Sequence, residues 1–275
     1  MRRTRARRHP RDMTNTTENF GISPAAAEVY ESRFVPALFA QWAPRLLDQA
    51  AITTGTRVLD VACGTGIVAR VAADRVGPSG RVVGVDVSEA MLAVARRMCP
   101  DVEWRRGDAG ALPFADGSFD AALCQMALMF FPDRARALRE MRRVATEVVA
   151  VCVPAALDEQ PAYRDFVDVA VRHAGPPAAS LLGTYWSCGD RDELRGWFRD
   201  AGLTVDRFTT HTGSARFPSV DAMVATEVEG SPLIERIDAG TYEAITSEAR
   251  SVLARFTDPD GSVSAPLVAH IVTGR

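Results

Sequence analysis

The stretch Arg57 to Arg70, R-V-L-D-V-A-C-G-T-G-I-V-A-R, constrains the fold more than any other part of the chain. Val58, Leu59 and Val61 form an apolar run of the kind found in a strand buried on both faces. Cys63-Gly64-Thr65-Gly66 follows as a turn, where glycine permits φ > 0 and close approach of a ligand to the backbone. Ile67, Val68, Val71 and Ala72 then recur at helical spacing, so a helix begins at the turn. Strand, glycine turn and helix N-terminus together present backbone N–H groups, and a nucleotide-like ligand is the expectation.

Gly64-x-Gly66-x-x-Ala69 fits a dinucleotide fingerprint, and Asp86 follows Gly66 by 20 positions. Asp60 departs from that reading. A carboxylate at a buried strand end is costly unless paired, and phosphates would be repelled by it. It suits a ligand that carries an ammonium group. S-adenosylmethionine has an amino acid at one end, a ribose at the other and no phosphate.

The 275 residues allow one sizeable domain, or a domain with a cap. With a net charge of −3, the chain has no general field for nucleic acid or membranes. All 32 basic residues are Arg, which excludes Schiff-base chemistry and a lysine base. No apolar run has the length of a membrane span. The 5 Cys (Cys63, Cys99, Cys124, Cys152, Cys188) are scattered without a C-x-x-C pair and read as reduced thiols of a cytosolic protein. No metal site is expected. Residues 1–13 carry 6 arginines without apolar periodicity and read as a disordered tail, or as an upstream start before Met13.

Residues 24–50 form an amphipathic helical segment, with breaks expected near Pro36 and Pro44. Tyr30, Phe34 and Trp42 pack on the sheet, and one of these aromatics is expected over the ligand, since an electron-rich ring suits a sulfonium. Arg81–Asp86 is a second buried strand, after which Ser88 caps a helix over Glu89–Met98. Asp86 thereby stands at a strand's carboxyl end, where its two oxygens can accept both ribose hydroxyls. Val87 and Met91 are placed to form an apolar slot for a purine. A third strand leads to Gly107-Asp108-Ala109, where Asp108 can accept from an adenine amino group or simply make a turn. Phe119 to Cys124 is a fourth strand with Gln125 and Met126 at its end. A helix from Pro132 to Val144, with Pro in its first turn, precedes a fifth strand over 147–153.

This alternation specifies a doubly wound, mostly parallel α/β sheet. The rhythm changes after Val153. A helix over 163–173, a Gly-Pro-Pro break, a helix capped by Asp190, a strand over 203–212, further helical patterning and a last strand over 263–273 follow. The expected organisation is one domain over 14–275 with a core at 55–153. Cap insertions are expected at about 154–188 and 213–261, over the sheet's carboxyl edge.

The motifs together resemble the class I S-adenosylmethionine-dependent methyltransferases, most closely a small-molecule branch similar to ubiquinone/menaquinone-biosynthesis C-methyltransferases. The residues concerned are V-L-D-V-A-C-G-T-G (58–66), V-V-G-V-D-V-S-E-A-M-L (82–92), G-D-A-G-A-L-P-F (107–114), D-G-S-F-D-A-A-L-C-Q (116–125) and M-F-F-P-D (129–133). The resemblance implies a Rossmann-like seven-stranded sheet whose last strand is antiparallel. It implies that Asp60, Gly64 and Gly66 hold the methionine end, Asp86 the ribose, Asp108, Ala109 and Met91 the adenine, and Gln125 the region of the methyl group. Tyr30, Ala62, Val87 and Gly107 complete the expected cofactor-binding set. The family's Pro-Gly-Gly turn before strand five is replaced by Val144-Ala145-Thr146-Glu147, away from the ligand.

Methyl transfer from a sulfonium needs alignment and exclusion of water, and a base only sometimes. The sequence announces none; His173 and His211, which flank the cap, are the candidates. A small, largely apolar natural-product or lipid-like acceptor fits the hydrophobic cap, and without a basic stripe in the folded part nucleic acid is not expected as a partner. The alternative is a non-methylating enzyme of the same fold, such as a cyclase, that keeps the adenosyl ligand structurally. An NAD-dependent oxidoreductase is disfavoured by Asp60 and Asp108 and by the absence of Lys.

Overall fold

The computed structural model describes residues 22–275, so the basic segment 1–13 lies outside the described residues. Apolar runs bounded by turns become β1 (Arg57–Val61), β2 (Arg81–Asp86), β3 (Glu103–Arg106), β4 (Phe119–Gln125), β5 (Ala145–Pro154), β6 (Val205–Phe217) and β7 (Val263–Gly274). They form one 7-stranded sheet in the order β3-β2-β1-β4-β5-β7-β6. β1 runs parallel to β2 and β4, and β5 parallel to β4, while β7 is antiparallel to β5 and β6. Strand order reverses between β1 and β4, the place where open α/β sheets bind ligands. There Asp60 pairs with Gly84 on one side and Leu123 on the other.

The helices that feed this point are α1 (Pro24–Val29), a π-helix over Tyr30–Phe39, α2 (Trp42–Gln49), α3 (Ile67–Val76) and α4 (Glu89–Met98). Trp42, Leu46 and Leu47 of α2 and Val68 and Ala72 of α3 are buried together against one face of the sheet. On the other face lie α5 (Arg134–Val144) and α8 (Arg191–Asp200), burying Leu138, Met141, Leu194 and Phe198. Side-chain caps set the helix starts: Ser23 for α1, Ser88 for α4, Asp133 for α5 and Asp190 for α8.

The prolines behave differently from the expectation. Pro36 lies inside the π-helix, whose wider turn tolerates the lost donor, and Pro44 sits in the first turn of α2, where no intrahelical donor is needed. The chain bends between them, at Ala40 and Gln41. Pro132 precedes the Asp133 cap instead of entering the first turn of α5. Gly175 is likewise followed by a helix, α7 (Pro176–Gly183), because proline at N1 is preset for helical φ.

Two helical insertions leave the carboxyl ends of β5 and β6, which lie on the same edge of the sheet. The first holds α6 (Pro161–Ala174) and α7; the second, between β6 and β7, holds α9 (Val220–Glu229) and α10 (Ala239–Val252). β6 runs to Phe217, beyond the expected strand end, and stays paired to β7 residue for residue from Arg207 onward, with Phe217 opposite Val263. α6 packs on both α7 and α10, so the insertions make one helical layer. Among the described residues no helix is long and apolar enough to cross a membrane, and no His/Cys/Asp/Glu group is arranged to hold a metal ion.

Candidate active site at the switch point

The turn after β1 is built from its own backbone and from Asp86. Cys63 N–H donates to Val85 O (3.0 Å) and Gly66 N–H to Cys63 O (2.8 Å), closing the turn against β2. Asp86 Oδ2 accepts from Gly64 N–H (2.8 Å) and its Oδ1 from Ser88 N–H (2.8 Å). One carboxylate therefore holds both the glycine turn and the start of α4. Asp60 is buried at the end of β1, and its Oδ2 accepts from Ala69 N–H (3.0 Å) in the first turn of α3. Burial and, to a lesser degree, Asp86 push the Asp60 carboxyl up to about 8, against the pull of the Ala69 N–H. Burial also raises Asp86, opposed by the backbone donors of Ser88, Gly64 and Val87.

Two buried carboxyls side by side make the cleft favourable to cations and hostile to phosphates. Two more acceptors point the same way. Thr65 Oγ1 and Gln125 Oε1 are buried and have no hydrogen-bond partner among the described residues, while Gln125 Nε2 donates to Phe39 O (3.1 Å). Orphaned acceptors are costly inside a protein and are commonly satisfied by a ligand. An ammonium and a sulfonium therefore fit this donor-poor, acceptor-rich cleft.

Tyr30 lies over the turn: a Cβ placed on Gly64 would be 3.6 Å from its ring. The ring stacks with Phe34 (5.9 Å) and Phe39 (5.3 Å), and burial together with Asp86 and Asp60 raises its hydroxyl pKa. Ion pairs tether this aromatic segment: Glu28 to Arg97 at 2.7 Å, Glu31 to Arg70 at 2.9 Å and Arg33 to Glu229 at 3.1 Å.

The other expected ligand residues lie further out. Met91 is buried against Ala27 and Val94, whereas Val87 stands 65% exposed, so the two do not form a packed slot. Asp108 is exposed, and its Oδ1 accepts from Gly110 N–H (2.8 Å), the geometry of a turn. Ala109 beside it is buried, and Gly107 is required because a Cβ there would meet Val85 and Pro113. Ala62 adopts φ 55 and Met126 φ 54, left-handed conformations uncommon outside glycine, on the two sides of the switch point.

The histidine candidates are not brought to this cleft. His173 lies on α6, where its Nε2 is 2.6 Å from Glu248 of α10. His211 is on β6, the edge strand, and contacts Thr209 Oγ1 (3.0 Å). His270 is fully buried between Thr210 (2.9 Å) and Gly189 O (3.2 Å).

Sequence reasoning missed Glu227 and Tyr163. Glu227 falls in the stripe Val220, Met223, Val224, Val228 of α9, an acidic residue at an apolar position, which was the available signal.

A sheet in this order, with its last strand reversed and a glycine turn at the switch point, is the frame on which class I methyltransferases are built. Residues 58–147 match the profile of a family described as a methyltransferase domain. The demethylmenaquinone methyltransferase of Listeria welshimeri is 31% identical over 195 residues, covering 65% of this chain and 83% of the relative. An S-adenosylmethionine-dependent methyltransferase from Aquifex aeolicus has the same fold, with a TM-score of 0.52 at 21% identity over 68% of this chain and 92% of its own. The [4+2]-cyclase SpnF shares the fold too, with a TM-score of 0.50 at 20% identity over 86% of this chain and 81% of its own. The chain belongs to the S-adenosylmethionine-dependent methyltransferases.

Proposed function

We propose that the protein methylates a small, largely apolar aromatic acceptor bearing a hydroxyl group, a reduced quinone or a natural product of similar chemistry. The observation that carries this reading is the aromatic shell over the carboxyl end of β4. Phe130 follows Gln125 by one short turn and meets Tyr185 edge-on at 5.8 Å, while Phe39, whose carbonyl accepts from Gln125 Nε2, stacks on Phe34. Such a shell excludes water and favours a flat apolar partner. The quinone named for the Listeria relative is a partner of that kind.

S-adenosylmethionine supplies a methyl group already activated on a sulfonium sulfur. In this assignment Asp60, Ala62, Gly64 and Gly66 receive its amino-acid end. Asp86 receives the ribose hydroxyls on lone pairs not used by Gly64 and Ser88. Val87, Met91, Gly107, Asp108 and Ala109 border the adenine. Gln125 turns its free Oε1 toward the cationic centre, and Tyr30 covers it. The protein's part is alignment and desolvation, worth several orders of magnitude without a covalent intermediate. The helical layer of α6, α7, α9 and α10 then acts as the cap that shapes the acceptor side.

Calorimetric titration with S-adenosylhomocysteine, with NAD as control, tests the donor half. Micromolar binding of the former alone is expected, lost in Asp86→Ala. Binding of NAD alone, or unchanged affinity in that variant, would remove the assignment. Transfer of labelled methyl to a naphthol or quinol separates this chemistry from a reaction that leaves the adenosyl ligand intact.

A further inference from the structure

Glu227 is left unexplained by the donor site. It is only 6% exposed, although it occupies a position of α9 where leucine or methionine would complete the apolar stripe. Its Oε1 accepts from the Tyr163 hydroxyl of α6 at 2.8 Å, the one hydrogen bond of this carboxylate among the described residues. Among the described residues the titratable groups that act on it are Tyr163 and Tyr185, and no arginine there offsets its charge. Burying a carboxyl in this way costs stability and asks for a return elsewhere.

Its place in the fold supplies one. The Tyr163 ring packs on Trp186 at 4.9 Å, and the neighbouring Tyr185 packs on Phe130, on the turn that leaves β4 after Gln125. At the end of α9, Gly230 is pressed against Phe34, leaving no room for a Cβ. Phe34 stacks on Tyr30, which covers Gly64. Through Tyr163 on one side and Gly230 on the other, the helix that carries the carboxyl is thus packed into the row of contacts that runs from the end of β4 to the glycine turn.

We propose that Glu227 is the general base of the transfer, positioned by Tyr163 against the acceptor hydroxyl. This rests on the methyl-transfer reading above. The acceptor's O–H bond breaks and its proton passes to the Glu227 carboxylate. The electron pair released into the ring forms the bond from a ring carbon to the methyl carbon, and the carbon–sulfur bond breaks with its pair going to sulfur. The C–H bond at that ring carbon then breaks, its pair restoring the aromatic ring and its proton leaving to solvent, from which the ring oxygen is reprotonated. Glu227 then returns the proton to solvent. Burial pushes its carboxyl up to about 7 against the pull of the Tyr163 hydrogen bond, a range suited to a base at neutral pH.

The test uses the full chain, labelled S-adenosylmethionine and 1,4-dihydroxynaphthalene kept reduced, with Glu227→Gln and Tyr163→Phe beside the wild type. Glu227→Gln should bind S-adenosylhomocysteine within about threefold of wild type and melt no lower, while kcat falls at least about 100-fold, the lower range for loss of a general base. The acid limb of the wild-type pH profile should vanish in Glu227→Gln. In Tyr163→Phe it should move to higher pH, because the hydrogen bond that favours the carboxylate is gone, and a purely structural role would leave it in place. Turnover of Glu227→Gln within threefold of wild type overturns the assignment. So does a wild type that binds S-adenosylhomocysteine yet makes no methylated naphthol. A wild type that binds no S-adenosylhomocysteine overturns the methyl-transfer reading itself, and this assignment with it.

Discussion

Gly66 and Trp104 compete for one space: a Cβ at position 66 would overlap the indole, far closer than van der Waals contact allows, and Gly66 also has φ 88. Trp104 is fixed there from β3, its Nε1 donating to Cys99 O at 2.9 Å. This glycine is therefore demanded by the packing of β3 under the turn as well as by any ligand above it. Gly66→Ala should cost about 2–4 kcal/mol, the sum of left-handed strain and overpacking. Trp104→Leu in the same chain should recover the packing part only. Urea denaturation of the two single variants and the double variant measures the coupling.

Ala62 occupies the left-handed region without a glycine. Its Cβ then clashes with the following carbonyl, so Ala62→Gly should stabilise the protein by about 0.5–1 kcal/mol, offset in part by the freer unfolded chain. The denaturation midpoint should rise at an unchanged m-value. A fall in the midpoint would show that the methyl group packs more favourably than the backbone suffers.

The buried Glu227 gives stability a pH dependence with a definite sign. Its folded-state value of about 7 lies above the ordinary 4.5, so between these values the folded state holds more protons than the unfolded one. Its contribution is most favourable below pH 4.5 and is lost as pH rises through 7. Glu227→Gln, which has no charge to bury, should be more stable than wild type by about 1–3 kcal/mol at pH 8 and indistinguishable near pH 4. Paired melting curves at the two pH values check this. Equal melting temperatures at pH 8 would mean that the carboxylate is solvated.

Arg70 reaches from α3 to Glu31, adjacent to Tyr30, with both side chains less than one-fifth exposed. Glu31 Oε2 already lacks a hydrogen-bond partner among the described residues. Arg70→Met should strand the whole carboxylate, at a cost of about 1–3 kcal/mol, and loosen the segment that covers the turn. Stopped-flow displacement of bound S-adenosylhomocysteine should show faster release, partly reversed by adding Glu31→Gln.

The strand, the glycine turn and the helix starts were legible because their residues are close in sequence and each obeys a local rule. Val58 to Val61 read as a strand, Gly64 and Gly66 as a turn, and Ser88 and Asp190 as caps, and each stands where it was expected. What failed to show was non-local or against propensity. The π-helix over Tyr30–Phe39 depends on packing, and an isolated proline at 36 signalled a break instead. Trp104 meets Gly66 only through strand pairing, and the Tyr163–Glu227 contact spans 64 residues between two insertions. For His173 and His211, residue type and a place beside the expected cap raised an expectation, and the fold sets one on an ion pair and the other on an edge strand.

The pairing of Phe217 with Val263 carries a consequence for how such an enzyme changes its substrate. α9 and α10 begin and end at neighbouring points of a zipped ribbon, so whatever is spliced between those points leaves the ribbon closed, and it meets the segment over the glycine turn at Glu229, paired with Arg33, and at Gly230, pressed on Phe34. The module works like an interchangeable tool head on a fixed handle. Replacing the piece between the two residues with that of a relative exchanges the whole helical module in a single step, provided the contacts at Glu229 and Gly230 are kept.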